Sequence, residues 1–203
     1  MSFSAEDFAS KTDVSRETLE RLELYASLLV KWQKKINLIA PGTVDEMWHR
    51  HFYDSAQLAD YIPEKSTAII DLGSGAGFPG LVLACMGYDS VTLVESDLRK
   101  TLFLKEVIRE TSLNTTVINA RVETLELKGD VITARALAPL DKLLSYSVPL
   151  LDDGGKCLFL KGETSDKELA TAREHWQFSS RSHPSKTSEA GHIIEISALE
   201  CFT

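Results

Sequence analysis

The chain has 203 residues, 43% of them hydrophobic and 26% charged, with a formal net charge of −8. That length and balance suit one globular domain with a modest extension, which excludes a disordered or fibrous chain. No apolar run reaches the roughly 18 to 20 residues of a membrane span, and the start, MSFSAEDFAS, lacks the basic and apolar regions of a signal peptide, so a cytoplasmic protein with no membrane partner is expected.

In chain order, residues 15–39 read as a helix. Leu22, Tyr25, Ala26, Leu29, Trp32 and Ile36 recur every three or four residues and make one apolar stripe. Ser15 is the candidate N-cap, and Pro41–Gly42 is a stop signal. A second helical stretch spans 44–61 and ends before Pro63. These make an N-terminal helical extension, residues 1–64.

Residues 65–203 read as the main domain, because strands and helices now alternate. Residues 67–72 are a strand and 80–86 a helix; 90–95 are a strand and 98–111 a helix. Further strands are expected at 116–119, 131–133 and 157–161, with a helix at 140–150 before the last of them. Such alternation implies a mainly parallel sheet with right-handed crossovers. The tail, 176–180 and 192–199 flanking a polar loop, predicts a hairpin, hence an α/β domain with an antiparallel C-terminal edge.

Cys85, Cys157 and Cys201 lie far apart and read as reduced thiols. Neither they nor the five histidines show metal-ligand spacing, so no metal is expected. A net charge of −8 argues against a polyanionic partner, but the distribution is uneven. The first 23 residues carry six acidic and three basic side chains. Lys31, Lys34 and Lys35 then cluster, 49–51 read HRH, and Arg99, Lys100, Lys105 and Arg109 follow close together. Solvated helix faces are the plain reading of such runs.

The segment DLGSGAGFPG at 71–80 directly follows the strand TAIID. Gly73, Gly75 and Gly77 give G-x-G-x-G, a turn that lets the backbone approach a ligand closely. Gly75, Gly77 and Gly80 also read as the dinucleotide fingerprint, so glycines alone do not choose between S-adenosylmethionine and NAD. Glu95 ends the next strand, where a carboxylate accepts hydrogen bonds from vicinal ribose hydroxyls of either cofactor.

The rest of the sheet discriminates. Asp71 suits the positively charged amino-acid end of S-adenosylmethionine and would oppose a pyrophosphate. RVE at 121–123 falls where an adenine would lie, and DVITAR at 130–135 puts polar groups beside a transferable methyl. The second nucleotide-binding half of a dehydrogenase is missing. A methyltransferase is favoured over a nicotinamide-dependent dehydrogenase.

With KWQKKINL at 31–38, RHFYDS at 50–55, DLGSGAGFPG at 71–80, LRKTLFL at 98–104, ARA at 134–136 and LKG at 160–162, the chain closely resembles one family. It is the bacterial small-subunit (16S) ribosomal RNA guanine-N7 methyltransferases, also called glucose-inhibited division protein B. The resemblance runs from about Leu22 to Ile196. It departs at Glu95, where aspartate is frequent, and at Ile39, where threonine is common.

The resemblance implies a Rossmann-like class I methyltransferase sheet and transfer of a methyl group from S-adenosylmethionine to N7 of a guanosine in small-subunit rRNA. The expected substrate is a 30S particle or assembly intermediate, and the protein is expected to be a monomer. A methyltransferase acting on a small molecule or protein would share the sheet but ignore rRNA. By position, Gly73, Phe78, Val122, Glu123 and Arg135 would contact the cofactor, joining Asp71, Gly75, Gly77 and Glu95 from the motif reading. Guanine N7 carries a free lone pair, so no general base is needed and orientation supplies most of the acceleration. Arg135 is then an organiser, contacting the cofactor carboxylate or an RNA phosphate. Arg50, Lys100, Lys105, Arg109 and Lys161 are candidate RNA contacts, and Phe78 and Trp48 are candidates to stack on a base or to sit in the core.

Overall fold

The computed structural model describes residues 3–62 and 64–202; Pro63 lies outside the described residues. The chain opens with a helix the periodicity missed, α1 (Ala5–Thr12), nucleated by a capping box between Ser4 and Asp7. It is short and buries only Phe8, so no long stripe announces it. Helix α2 (Arg16–Gln33) starts after Ser15, whose side chain accepts from the Thr18 N–H as expected. It ends six residues before the expected position 39. There the Gln33 side chain folds back, its Oε1 accepting from the N–H groups of Leu38 and Ile39 at 2.9 and 3.1 Å.

The expected helix 44–61 is instead a relay of short pieces. A 3-10 turn (Pro41–Thr43) leads into a π-helix (Trp48–Tyr53), then α3 (Asp54–Ala56) and a second 3-10 turn (Gln57–Tyr61). π geometry is rare and concentrates at functional sites. Here it stacks Trp48 on Phe52 at 4.5 Å and lays His51 over Phe78 at 5.3 Å. Trp48 and Phe78 therefore sit in an aromatic stack with Phe8, Tyr25 and Phe52, not on open surface.

Among the described residues seven strands form one sheet: β1 (Ala68–Leu72), β2 (Ser90–Val94), β3 (Thr115–Ile118), β4 (Gly129–Arg135), β5 (Leu151–Lys161), β6 (Trp176–Pro184) and β7 (His192–Cys201). Their order is β3-β2-β1-β4-β5-β7-β6, with β3 to β5 parallel and β7 antiparallel to both neighbours. The expected parallel sheet with an antiparallel C-terminal edge is thus present. The crossover helices are α4 (Gly80–Cys85), α5 (Leu98–Thr111), α6 (Leu140–Ser147) and α7 (Ser165–Ala172). Helix α7 was not expected, since its eight residues bury only Ser165, Leu169 and Ala172. The helix expected at 140–150 closes as a 3-10 turn (Val148–Leu150) that feeds a longer β5 than expected.

Strand alternation divides the core in two. Ile69, Val131, Leu158 and Ile193 face α2, α4, α5 and the N-terminal aromatic stack, while Ile70, Ile132, Phe159 and Ile194 face α6 and α7. Phe8, Leu22, Tyr25 and Phe52 share the first cluster with strand residues, so residues 3–62 have no core of their own. Cys85 and Cys157 are buried and unbridged, and burial pushes both thiols up to about 12. Among the described residues no helix is long and apolar enough to cross a membrane.

Candidate active site

Chain direction around the sheet reverses between β1 and β4: β2 and β3 lie on one side, β5 on the other. At such a switch point the loops leaving the two central strands diverge and open a crevice beyond their carboxyl ends. Here those loops are 73–79 and 136–139, and three adjoining hollows open along them.

The inner hollow, about 260 Å³, is lined by Gly73, Gly75, Glu95, Val122, Glu123 and Tyr146, among others. Gly73 and Gly75 hold φ of +61° and +57°, a region side chains rarely adopt. The space beyond Gly75 is open, with nothing closer than 3.7 Å to an added Cβ. Glu95, 7% exposed, accepts from the Gly75 N–H at 2.9 Å and from the Asp97 N–H at 2.7 Å. Each carboxylate oxygen carries a second lone pair, so capacity for ribose hydroxyls remains. Glu123 accepts from the Tyr146 hydroxyl at 2.9 Å. That contact and the Glu123 backbone N–H hold its carboxyl below the usual range, the backbone contact foremost. Glycines, a carboxylate and the apolar Val122 and Leu137 around one small cavity fit the nucleoside end of S-adenosylmethionine.

The middle hollow, about 480 Å³, lies between the glycine loop and the N-terminal extension, touching Ile39, Thr43, His51, Phe78, Lys100 and Arg135. Thr43 donates its only hydroxyl proton to Ala40 O at 2.7 Å, so His51 Nε2, 2.8 Å from Thr43 Oγ1, donates to that hydroxyl oxygen and is the protonated nitrogen. Burial first, then Arg135 and Arg50, pull the His51 pKa down to about 3, which keeps the ring neutral.

Arg135 stands where all three hollows approach one another. Its side chain is 18% exposed and its guanidinium lies 4.9 Å from the centre of the Phe78 ring. Nη1 donates to Arg50 O at 3.1 Å and pairs with Asp54 Oδ2 at 3.5 Å. Among the described residues Nε and Nη2 have no protein partner. That leaves one edge of the fork for an anionic ligand.

The outer hollow, about 670 Å³, runs from Arg50 and Arg135 across Leu160–Gly162 to the β6–β7 loop at 185–191. Two expectations change here. Lys161, expected to meet RNA, is committed inward: Nζ donates to Ala138 O and Glu168 Oε2, both at 2.7 Å, and the side chain is only 10% exposed. Asp71, expected to face the cofactor's charged end, is fully buried and lines none of the three hollows. It accepts from Thr133 Oγ1 at 2.8 Å and packs beneath Gly80; burial lifts its pKa to about 6 against the hydrogen bonds that lower it. Its place is behind the glycine loop.

Of the remaining basic candidates, Lys100 lines both the inner and the middle hollow. Arg50 is exposed and paired with Glu46, while Lys105 and Arg109 lie on the outer face of α5, away from the hollows. Four site features escaped the sequence reading. Asn119 braces the end of β2 by donating to Glu95 O at 2.9 Å. Tyr146 closes the inner hollow, and Asp54 holds Arg135. The β6–β7 loop walls the outer hollow. Only Asp54 had a signal, since it belongs to RHFYDS.

A family model described as GidB, rRNA small subunit methyltransferase G, matches residues 18–194. Ribosomal RNA small subunit methyltransferase G of Paramagnetospirillum magneticum is 53% identical over 192 residues, 94% of each chain. The protein of that name from Gluconobacter oxydans is 51% identical over 187 residues, 92% of this chain and 96% of its own. Among solved structures, M. jannaschii TYW2 in complex with AdoMet superposes with a TM-score of 0.59 at 19% identity, covering 83% of this chain and 80% of that one. Ribosomal protein L11 methylase from Lactobacillus delbrueckii subsp. bulgaricus gives 0.57 at 15% identity, covering 73% and 77%. At these identities the structural likeness carries the fold alone, that of the class I methyltransferases.

Proposed function

The chain belongs to the rRNA small subunit methyltransferase G family, and from that premise we propose that it methylates N7 of one guanosine in small-subunit (16S) ribosomal RNA, using S-adenosylmethionine. The observation that carries the reading is the meeting of three hollows at Arg135–Ala136: an inner one sized for a nucleoside, a middle one beside a half-engaged guanidinium, and an outer one wide enough for a base. The cofactor, when bound, supplies a methyl group on a positively charged sulfur; N7 gives its lone pair to that carbon, the carbon–sulfur pair stays on sulfur, and the positive charge passes to the base.

No proton moves, so the chain's residues bind and orient rather than act as acid or base. Glu95 and the glycine turn hold the nucleoside end, while Val122 and Leu137 pack against it. Arginine usually reads guanine through O6 and N7 together. Here N7 must stay free to react, so the open edge of Arg135 serves an anion instead, the cofactor carboxylate or an RNA phosphate. Lys100, Arg50, Lys105 and Arg109 are the phosphate contacts that remain exposed or half-exposed. Lys161 shapes the wall of the outer hollow through Glu168.

Residues 1–64 serve as a helical extension and 65–203 as the methyltransferase domain of one compact unit. We further propose a cytoplasmic monomer acting on a 30S particle or assembly intermediate; an acidic protein with local basic patches favours a folded target over loose RNA. The test is transfer of labelled methyl to rRNA from a strain lacking this protein, offered naked and as small-subunit particles. Label recovered as 7-methylguanosine at one site supports the reading. S-adenosylmethionine binding without labelled RNA would remove the rRNA assignment and leave the fold.

A further inference from the structure

The far side of the outer hollow is the β6–β7 loop, which meets the N-terminal extension through a directed chain of hydrogen bonds. Gln57, 3% exposed, donates to Ser185 Oγ at 3.2 Å and accepts from the Lys186 N–H at 2.9 Å. Thr187 Oγ1 donates to Asp54 Oδ1 at 2.7 Å, so its oxygen accepts from Ser185 Oγ, 2.9 Å away. Gln57 Nε2 also donates to Asp54 Oδ1 at 2.9 Å, and Lys186 pairs with Asp60. Asp54 Oδ1 is thus taken by the loop and by Gln57, whereas Oδ2 faces Arg135. One carboxylate ties two distant segments to the guanidinium at the junction.

That carboxylate also sets the charge. Arg135 is nearly enclosed, and burial weakens its hold on its proton while Asp54 strengthens it. A buried, uncompensated cation is costly, and it would repel the positive charge that arrives on the base during transfer. Glu168, the other carboxylate on this hollow, is occupied by Lys161, Thr164 and the Leu140 N–H. Asp54 is therefore the carboxylate of the outer hollow with an oxygen turned to the junction.

Resting on the proposed guanosine methylation, we infer that Asp54 is the positioning residue of the transfer point: through Oδ2 it holds and neutralises Arg135, and through Oδ1 it fixes the β6–β7 loop as the outer wall of the acceptor cavity. The two oxygens separate the two duties, so two variants separate their effects. Asp54→Asn keeps an oxygen for Thr187 and Gln57 but removes the charge, and it lowers kcat about tenfold or more with little change in KM for small-subunit particles. Thr187→Val cuts the latch and leaves the charge, so it raises KM for the particles several-fold with little change in kcat. Thr187→Ser restores the wild-type value.

Calorimetry with S-adenosylhomocysteine shows the nucleoside end intact in both variants, within about threefold of wild type. The side-chain Nε resonance of Arg135, read by NMR without substrate, moves in Asp54→Asn. A double-mutant cycle completes the test: Thr187→Val costs nothing further in the Asp54→Ala background. Kinetic constants that fall together with thermal stability and S-adenosylhomocysteine binding would overturn the inference, as would an unmoved Arg135 resonance or an additive cycle. Should the wild-type protein label no rRNA, the function reading fails by itself, and the Asp54–Arg135 link stands or falls on the NMR spectrum.

Discussion

The inner hollow is lined by Gly73, Gly75, residues 94–96, 120–123 and 136–137, which sit at strand ends or in the turns that follow, joined by Lys100 of α5 and Tyr146 of α6. The outer hollow, which touches it at Ala136 and Leu137, draws Arg50 and Asp54 from the extension, Arg135 and the turn 136–139 from the end of β4, 160–162 from the end of β5, and Ser185, Thr187, Ser188, Gly191 and His192 from the hairpin. The first is made by local geometry: a strand, a tight glycine turn and a carboxylate one strand away. The second is assembled by tertiary contacts between segments more than a hundred residues apart, such as Thr187 with Asp54. Cofactor binding should therefore tolerate damage to the outer hollow, whereas acceptor use should not tolerate damage to either.

The largest effect is expected where the comparison breaks altogether. Gly77 holds φ +95°, and an added Cβ would lie 2.5 Å from Leu81 and 2.8 Å from the Tyr25 hydroxyl. Gly77→Ala should cost about 2–4 kcal/mol from strain and overpacking, with cofactor binding and methyl transfer lost together; urea unfolding and calorimetry read both. An unchanged midpoint would show that the loop relaxes freely. Next comes Glu168→Ala, which leaves Lys161 enclosed without its carboxylate and should cost about 3 kcal/mol. Here S-adenosylhomocysteine affinity should survive while activity on particles falls, and loss of both in equal measure would dissolve the distinction between the two hollows.

Glu95→Ala acts on the inner side alone. It removes a carboxylate that orders the glycine turn, so cofactor affinity should drop about 10- to 100-fold, the value of one charged hydrogen-bonding group. KM for RNA at saturating cofactor should stay near wild type. The last effect is a pH slope, absent at neutral pH and confined to acid. The folded pKa of His51 is about 3 against 6.5 for the free side chain, so below 6.5 the unfolded chain binds a proton that the folded one refuses. Its contribution to stability is present above pH 6.5 and is lost as pH falls toward 3. His51→Phe, which keeps the stack on Phe78, should flatten the fall of the melting temperature in that window, and a slope as steep as wild type would assign the acid sensitivity elsewhere.

The same contrast explains what the sequence made legible. Strand–helix alternation from residue 67, the helix Leu98–Thr111 and the terminal hairpin all follow from periodicity and turn residues, because each element satisfies its own hydrogen bonds or those of its neighbour. The glycine loop and Glu95 were visible because their chemistry is compressed into two short segments. Helices α1 and α7 were not, since eight residues with one to three buried side chains leave no stripe. Nor was the break of the expected helix 44–61, where packing of Trp48, Phe52 and His51 against α1, α2 and Phe78 overrides helical propensity. Lys161 looked like an RNA contact because sequence shows charge without its partner; Glu168, seven residues on, lies in a helix the pattern did not reveal. Asp71 looked like a ligand group for the same reason, its burial being a property of the whole sheet.

The acceptor atom is the centre of this account, and replacing it tests the account most directly. Small-subunit rRNA transcribed with 7-deazaguanosine keeps Watson–Crick pairing but has carbon where N7 would be. Assembled into small-subunit particles and offered to the protein with labelled S-adenosylmethionine beside particles built on an ordinary transcript, it should take up no methyl group, while the ordinary particles yield 7-methylguanosine. Equal labelling of the two RNAs would place the methyl on another atom and contradict the proposed reaction.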